Sequence, residues 1–221
     1  MLEMPATRVA NMQARRRRIL DEAANLLAEG GYAALTLRSL ADHAAVTVPT
    51  IYNLIGSKDA VVAALVGDAL DRLDVELARL SPARGIGRAE AVITVSFALF
   101  AAQQHIYCSV FRSLDDVGIN RQENVLGPLF RRAGAVHELA ISEAVEAGFL
   151  RGRLQPLALA HNILHALMET FKLWALGALP VDVARARAFY ALYVSLLADA
   201  TKAGRAILLA RIAPYEAVLN V

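Results

Sequence analysis

Residues 47–58, Thr47-Val48-Pro49-Thr50-Ile51-Tyr52-Asn53-Leu54-Ile55-Gly56-Ser57-Lys58, combine hydroxyls, an amide and a cation on a stretch that is otherwise apolar. The hydroxyls of Thr50 and Tyr52 and the ammonium of Lys58 are donors, and this set suits an anion such as a phosphate. Lys58 is the most telling of them. Ser57 can cap a new helix, which puts Lys58 in the first turn, where the helix dipole prefers negative charge. A lysine there is accounted for if an outside phosphate sits beside it. Each residue also has a plainer reading. Tyr52 can be a core aromatic with a satisfied hydroxyl, Thr50 a second helix-start hydroxyl, and Lys58 a solvated surface lysine.

The elements that must position these groups are short. Thr47 is a suitable N-cap and Pro49 falls early enough in its helix to cost little, so residues 48–54 read as about one and a half turns. Before it, Thr36 caps a second short helix over about 37–44, with Leu37, Leu40 and Ala41 facing inward and Arg38 and Asp42 outward. Ala45-Val46 is a tight link. A longer helix over about 14–29 precedes both, with an apolar stripe at Ile19, Ala23, Leu26 and Leu27. Gly30-Gly31 stops it, and Tyr32 and Leu35 are apolar staples in the connection. Helices this short are marginal alone and need packing on the first helix. Three helices so joined form a helix-turn-helix arrangement.

The whole chain has 221 residues, 57% of them hydrophobic, with 13 glycines and 7 prolines concentrated at boundaries. That favours an all-α fold with a sizeable core. Further helices are expected at about 58–80, 88–104, 107–115, 122–147, 156–176 and 182–203, with stops at Ser81-Pro82, Gly118, Gly148–Gly152 and Gly177–Pro180. Residues 205–221 are ambiguous, because Pro214 interrupts a helical pattern over Ala206 to Ile212. The formal net charge is only +2. The four adjacent arginines Arg15 to Arg18 are either a solvated helix start or a phosphate-contacting patch. The single cysteine, Cys108, excludes an intramolecular disulfide and a Cys-rich metal site. His161 and His165, four residues apart, are read as a buried or pocket-lining pair rather than metal ligands, so neither a metal nor a cofactor is expected. No signal peptide is apparent, and apolar runs such as Ala91 to Ala102 fall short of a bilayer span. A soluble, cytoplasmic protein without membrane contact is the expectation.

Residues 17–61 resemble the amino-terminal domain of the tetracycline-repressor-like (TetR) family of bacterial transcription regulators. The matching text is Ile19-Leu20-Asp21-Glu22-Ala23-Ala24-Asn25-Leu26-Leu27, Gly30-Gly31-Tyr32, Leu35-Thr36-Leu37-Arg38-Ser39-Leu40-Ala41, Val46-Thr47-Val48-Pro49-Thr50-Ile51-Tyr52 and Gly56-Ser57-Lys58-Asp59. The resemblance implies a homodimer on double-stranded DNA, with the second helix of each helix-turn-helix in the major groove. It implies phosphate contacts from Thr50, Tyr52 and Lys58, and a base or phosphate contact from Arg38. Thr47, Val48, Pro49 and Asn53 complete the DNA-binding set. Among these Asn53 has the best base-reading chemistry, because an amide pairs bidentately with adenine. Three departures stand out. Ala45 occupies a turn position that is usually glycine, implying a different or strained turn. Leu54 replaces an aromatic or histidine, and Ile55 replaces a phenylalanine.

The resemblance divides the chain into a tail (1–13), a DNA-binding domain (14–60) and an effector-binding and dimerisation domain (61–221). By that analogy the helices at 156–176 and 182–203 pair with those of a second copy, through seams of Leu159, Ile163 and Leu167 and of Phe189, Leu192 and Leu196. The alternative is that these stripes bury within one subunit. Expected walls of an effector pocket are Phe97, Phe100, His105, Tyr107, Phe111, Met168, Phe171 and Trp174. Expected polar anchors are Glu169, His161, His165 and Asn162, and the ligand would be apolar or aromatic. Any one of these can equally be an ordinary core residue. No Gly-rich phosphate loop, nucleophile elbow or paired carboxylates stand out, so an enzyme is not expected. The function implied is a ligand-responsive repressor released from a near-palindromic operator. The rival is a helical carrier of apolar small molecules that never reads DNA.

Overall fold

A computed structural model describes residues 6–80, 83–119 and 125–219. Its elements are α1 (Ala6–Ala34), α2 (Leu37–His43), α3 (Val48–Leu54), α4 (Lys58–Arg79), α5 (Ile86–Ala102), α6 (Gln104–Ile119), α7 (Gly127–Glu146), α8 (Pro156–Ala175), α9 (Val181–Leu197) and α10 (Lys202–Leu219). The expected stop at Ser81-Pro82, the expected helix start at Gln122 and the outermost terminal residues lie outside the described residues. The chain forms two compact units, Met1–Ala69 with Gln104–Leu126, and Leu70–Gln103 with Gly127–Val221.

In the first unit α1 is the scaffold. Ile19, Ala23, Leu26 and Leu27 are buried, as their spacing requires. The helix leaves helical geometry at Gly30 and Gly31, where Gly31 has φ 67°, so the glycine pair does break it. Leu40 and Ala41 of α2, Ile51 of α3 and Val61 and Val62 of α4 fill the same core. Two expectations fail here. Helix α1 begins at Ala6, not near residue 14, because residues 8–15 are mostly exposed and carry no apolar period to read. And α6 does not join a single carboxy-terminal body starting at residue 61. It packs along α1, burying Tyr107, Val110, Phe111 and Val117, and the first unit runs on to Ala69. It also extends past the expected Gly118 stop.

The second unit is built on α7–α8–α9–α10 neighbours, with α5 against α7 and α9. The seams foreseen as dimer contacts bury within the subunit instead: Leu159, Ile163, Leu167, Phe189, Leu192 and Leu196 are each at most 9% exposed. A helix stripe this apolar satisfies itself on the nearest neighbours in its own chain. Helix α10 passes straight through Pro214 to Leu219, where a break was expected. The two inter-helix links of this unit are tied to each other. Leu150 and Ala200 form an antiparallel bridge, Arg151 N–H donates to the Asp199 carbonyl at 2.8 Å, and Thr201 N–H donates to the Phe149 carbonyl at 3.0 Å. The Asp199 carboxylate, 2% exposed, accepts from the N–H groups of Gly152 (2.8 Å) and Arg153 (3.1 Å). Gly204 lies so close to this link that a Cβ would sit 2.3 Å from the Phe149 carbonyl oxygen. No single helix among the described residues is long and apolar enough to cross a membrane.

Candidate nucleic-acid interface

The helix-turn-helix is assembled by local chemistry. Thr36 Oγ1 accepts from Ser39 N–H at 3.0 Å and so caps α2. Ser57 Oγ accepts from Ala60 N–H at 3.3 Å, starting α4 as foreseen. Thr47 behaves differently from expectation. Its carbonyl receives the first N–H groups of α3, but its hydroxyl meets Thr50 Oγ1 at 2.8 Å instead of capping the backbone. The two threonines thus hold each other in place at the start of α3. Between α2 and α3, Ala45 sits at φ 51°, the left-handed region that favours glycine. Its Cβ costs about 1 kcal/mol there, which is the strain the sequence implied.

The face this creates is polar and open. Arg38 is exposed on α2, Thr47 and Pro49 at the start of α3, and Asn53 near its end. Tyr52 is 56% exposed, which rules out the core-aromatic reading. Val48 and Thr50 are half-buried at its edge. Leu54 and Ile55 are half-buried and close the end of α3. The arginine run is mixed. Arg17 pairs with Asp21 at 3.0 Å and with Asp68 at 3.6 Å, so it at least serves the surface of its own unit.

Lys58 is not a plain surface lysine. Its Nζ lies 3.6 Å from the centroid of the Tyr32 ring. The Tyr32 hydroxyl donates to Asp59 Oδ1, and Asp59 is buried. Desolvation lowers the Lys58 pKa, partly offset by the carboxylates of Asp59 and Asp116. Burial together with the bond to Asp59 raises the Tyr32 pKa, so the phenol stays protonated. Sequence reasoning took Tyr32 for an apolar staple and passed over Asp59. The available signal was a tyrosine hydroxyl beside a helix that opens on Lys-Asp.

The expected effector residues divide between the two units. In the second unit Phe97, Phe100, Phe171 and Trp174 form an aromatic cluster. Phe171 lies 5.0 Å from Phe97 and 4.8 Å from Phe100, and Phe100 stacks on Trp174 at 6.4 Å. Phe97, Phe171 and Trp174 are buried, and Phe100 and Met168 half-buried. His165, Glu169, His161 and Asn162 are exposed, so the histidine pair does not line the interior. Asn162 instead donates to Ser195 Oγ at 3.0 Å. His105, Tyr107 and Phe111 belong to α6 in the other unit. A cleft of about 510 Å³ in the second unit is lined by none of the expected residues. Its walls include Arg84, Ile86, Glu143, Phe149, Ile207 and Arg211. There Glu143 accepts from Arg88 at 2.8 and 3.1 Å and from Gly85 N–H at 2.7 Å, which holds its pKa down at about 2.

A capped two-helix unit on an all-helical chain, with its polar residues turned outward, defines a helix-turn-helix protein. Residues 19–65 match the family described as bacterial regulatory proteins, tetR family. Over 71 residues it is 35% identical to the HTH-type transcriptional repressor KstR of Mycolicibacterium smegmatis, a match covering 32% of this chain and 35% of that repressor. It therefore spans about a third of the length of that relative. The fold is similar to that of SmeT, the repressor of the Stenotrophomonas maltophilia multidrug efflux pump SmeDEF. The TM-score is 0.64 at 23% identity, over 86% of this chain and 93% of SmeT. A SmeT–triclosan complex aligns over the same shares at a TM-score of 0.57 and 24% identity.

Proposed function

We propose that the chain is a ligand-responsive DNA-binding transcriptional regulator, a dimeric repressor released from a near-palindromic operator by a small apolar or aromatic effector. The observation that carries this is the exposed set Arg38, Tyr52 and Asn53 with the half-buried Thr50 on α2 and α3, and Lys58 opening α4. An exposed tyrosine beside an exposed amide has no folding purpose and suits phosphates and a base edge. KstR, matched over 71 residues, is a transcriptional repressor. Thr50, Tyr52 and Lys58 hold phosphates, Asn53 and Arg38 reach base edges, and Thr47, Val48 and Pro49 set the approach of α3.

Two reading helices held about one DNA turn (roughly 34 Å) apart require two copies. Pairing through α8 and α9 would use their remaining exposed apolar residues, Leu157, Leu176, Val181 and Val194, rather than the buried seams. The effector would enter the second unit beside Phe97, Phe100, Met168, Phe171 and Trp174. SmeT supports this by analogy, since it forms a complex with triclosan.

The test is selection of bound sequences from random duplex DNA, followed by affinity on the selected duplex and a scrambled one. A regulator prefers the selected duplex, and its affinity falls steeply with salt. Equal binding to both would sink the proposal. A Tyr52→Phe plus Lys58→Ala variant separates the carrier reading: a regulator loses DNA affinity and keeps its fold, whereas a carrier has no DNA affinity to lose.

A further inference from the structure

Lys58 faces an energetic problem that its surroundings answer. It is the first residue of α4, where the unsatisfied N–H groups and the helix dipole repel a cation. A lysine side chain left in water there would sweep its ammonium over many rotamers and away from the helix end. Instead the Nζ sits 3.6 Å from the Tyr32 ring centroid, within the range of a cation–π contact. The ring itself is anchored. Its hydroxyl donates to Asp59, the next residue of α4, and Asp59 is 7% exposed. One aromatic ring from the end of α1 is thus gripped at its face by Lys58 and at its rim by Asp59. The α4 start lies four residues beyond Leu54, the last residue of the reading helix α3. The ammonium is therefore held beside α3 before any DNA arrives.

We infer that Tyr32 is a positioning residue for DNA binding: its ring, locked by Asp59, seats the Lys58 ammonium at the phosphate-contacting edge of the helix-turn-helix. The inference rests on the DNA-reading function proposed above. Ordering the side chain in the free protein removes that cost from the binding step, which is what preorganisation does for affinity. Asp59 acts at one remove, by fixing the ring. Tyr32 touches no DNA, and its contribution runs entirely through Lys58.

The test uses the full chain and the short duplex that the wild-type protein selects from a random pool. Tyr32 is replaced by phenylalanine and then by 3,4,5-trifluorophenylalanine, which keeps the ring's shape while draining its negative face. Affinity is measured across a salt series, with thermal unfolding as the control for fold. Tyr32→Phe should weaken binding modestly, through a freed ring, and the fluorinated ring should weaken it further, to the level of Lys58→Ala. In a Lys58→Ala background the ring changes should have no further effect, and the salt slope should fall by about 0.9 for one lost phosphate contact. If Lys58→Ala lowers affinity but fluorination does not, Tyr32 does not position it and the inference is overturned. It is equally overturned if fluorination weakens binding as much in the Lys58→Ala background, since the ring then acts independently of the lysine. If the wild-type protein enriches no sequence at all, the DNA-reading function fails and this inference with it.

Discussion

One face of the first unit and the interior of the second put polar side chains to opposite uses. The first turns Tyr52 and Asn53 out to water, with Tyr52 56% exposed, although both sit on a helix of only seven residues. The second draws polar groups inward: His137 is 1% exposed and Asp199 2%. Outward groups that satisfy nothing in the fold are available to a partner. Inward groups either secure a joint, as Asp199 does, or carry a desolvation cost, as His137 does. The Nδ1 of His137 is the one buried side-chain polar atom without a partner among the described residues. The contrast separates a surface made for binding from an interior made for holding shape.

The sharpest way to break that contrast is acid. Burial pushes the His137 pKa from 6.5 to about 4. The unfolded chain therefore binds more protons than the folded one between those values, and stability falls as pH drops from about 6.5 to 4. A depression of this size corresponds to about 3 kcal/mol at the acid end. Urea unfolding followed by circular dichroism should show the loss, and His137→Leu should flatten that part of the pH profile. An unchanged profile in the variant would show that another group governs it. Next in size, Asp199→Ala leaves two backbone N–H groups without their acceptor and should cost about 2–3 kcal/mol, with DNA affinity preserved under conditions where the protein stays folded. The complementary change is Asn53→Ala. It should leave the unfolding midpoint in place while losing about 1–3 kcal/mol of discrimination at one base pair, read by competition between single-base operator variants. Smallest, Ala45→Gly relieves a left-handed alanine and should raise stability by about 0.5–1 kcal/mol. A fall in midpoint would mean that the turn tolerates its methyl group.

The first unit was legible because its information is local. Thr36 and Ser57 cap the helices that follow them, Gly30-Gly31 breaks the one before, and Ala45 lands in the conformation its departure from glycine implied. Each of these effects acts within a few residues. What escaped there was the exposed start of α1, which has no buried stripe, and the seat of Lys58, which joins Tyr32 to a residue 27 positions away. The second unit resisted for a different reason. In a chain that is 57% hydrophobic nearly every helix offers an apolar stripe, so periodicity predicts burial without naming the neighbour. The supposed dimer seams were therefore real stripes facing their own subunit. The expected effector residues are divided between the units, with His105, Tyr107 and Phe111 on α6 in the first unit and Phe97, Phe171 and Trp174 in the second. The cleft beside Arg84 and Ile207 draws its walls from α5, α7 and α10, which no spacing along the chain brings together.

Trp174 is the chain's only tryptophan, buried in the second unit against Phe100. Its emission is an optical window on that unit alone, because the helix-turn-helix contains no indole. A shift in its fluorescence on adding DNA would therefore report a change within the second unit, without any attached label.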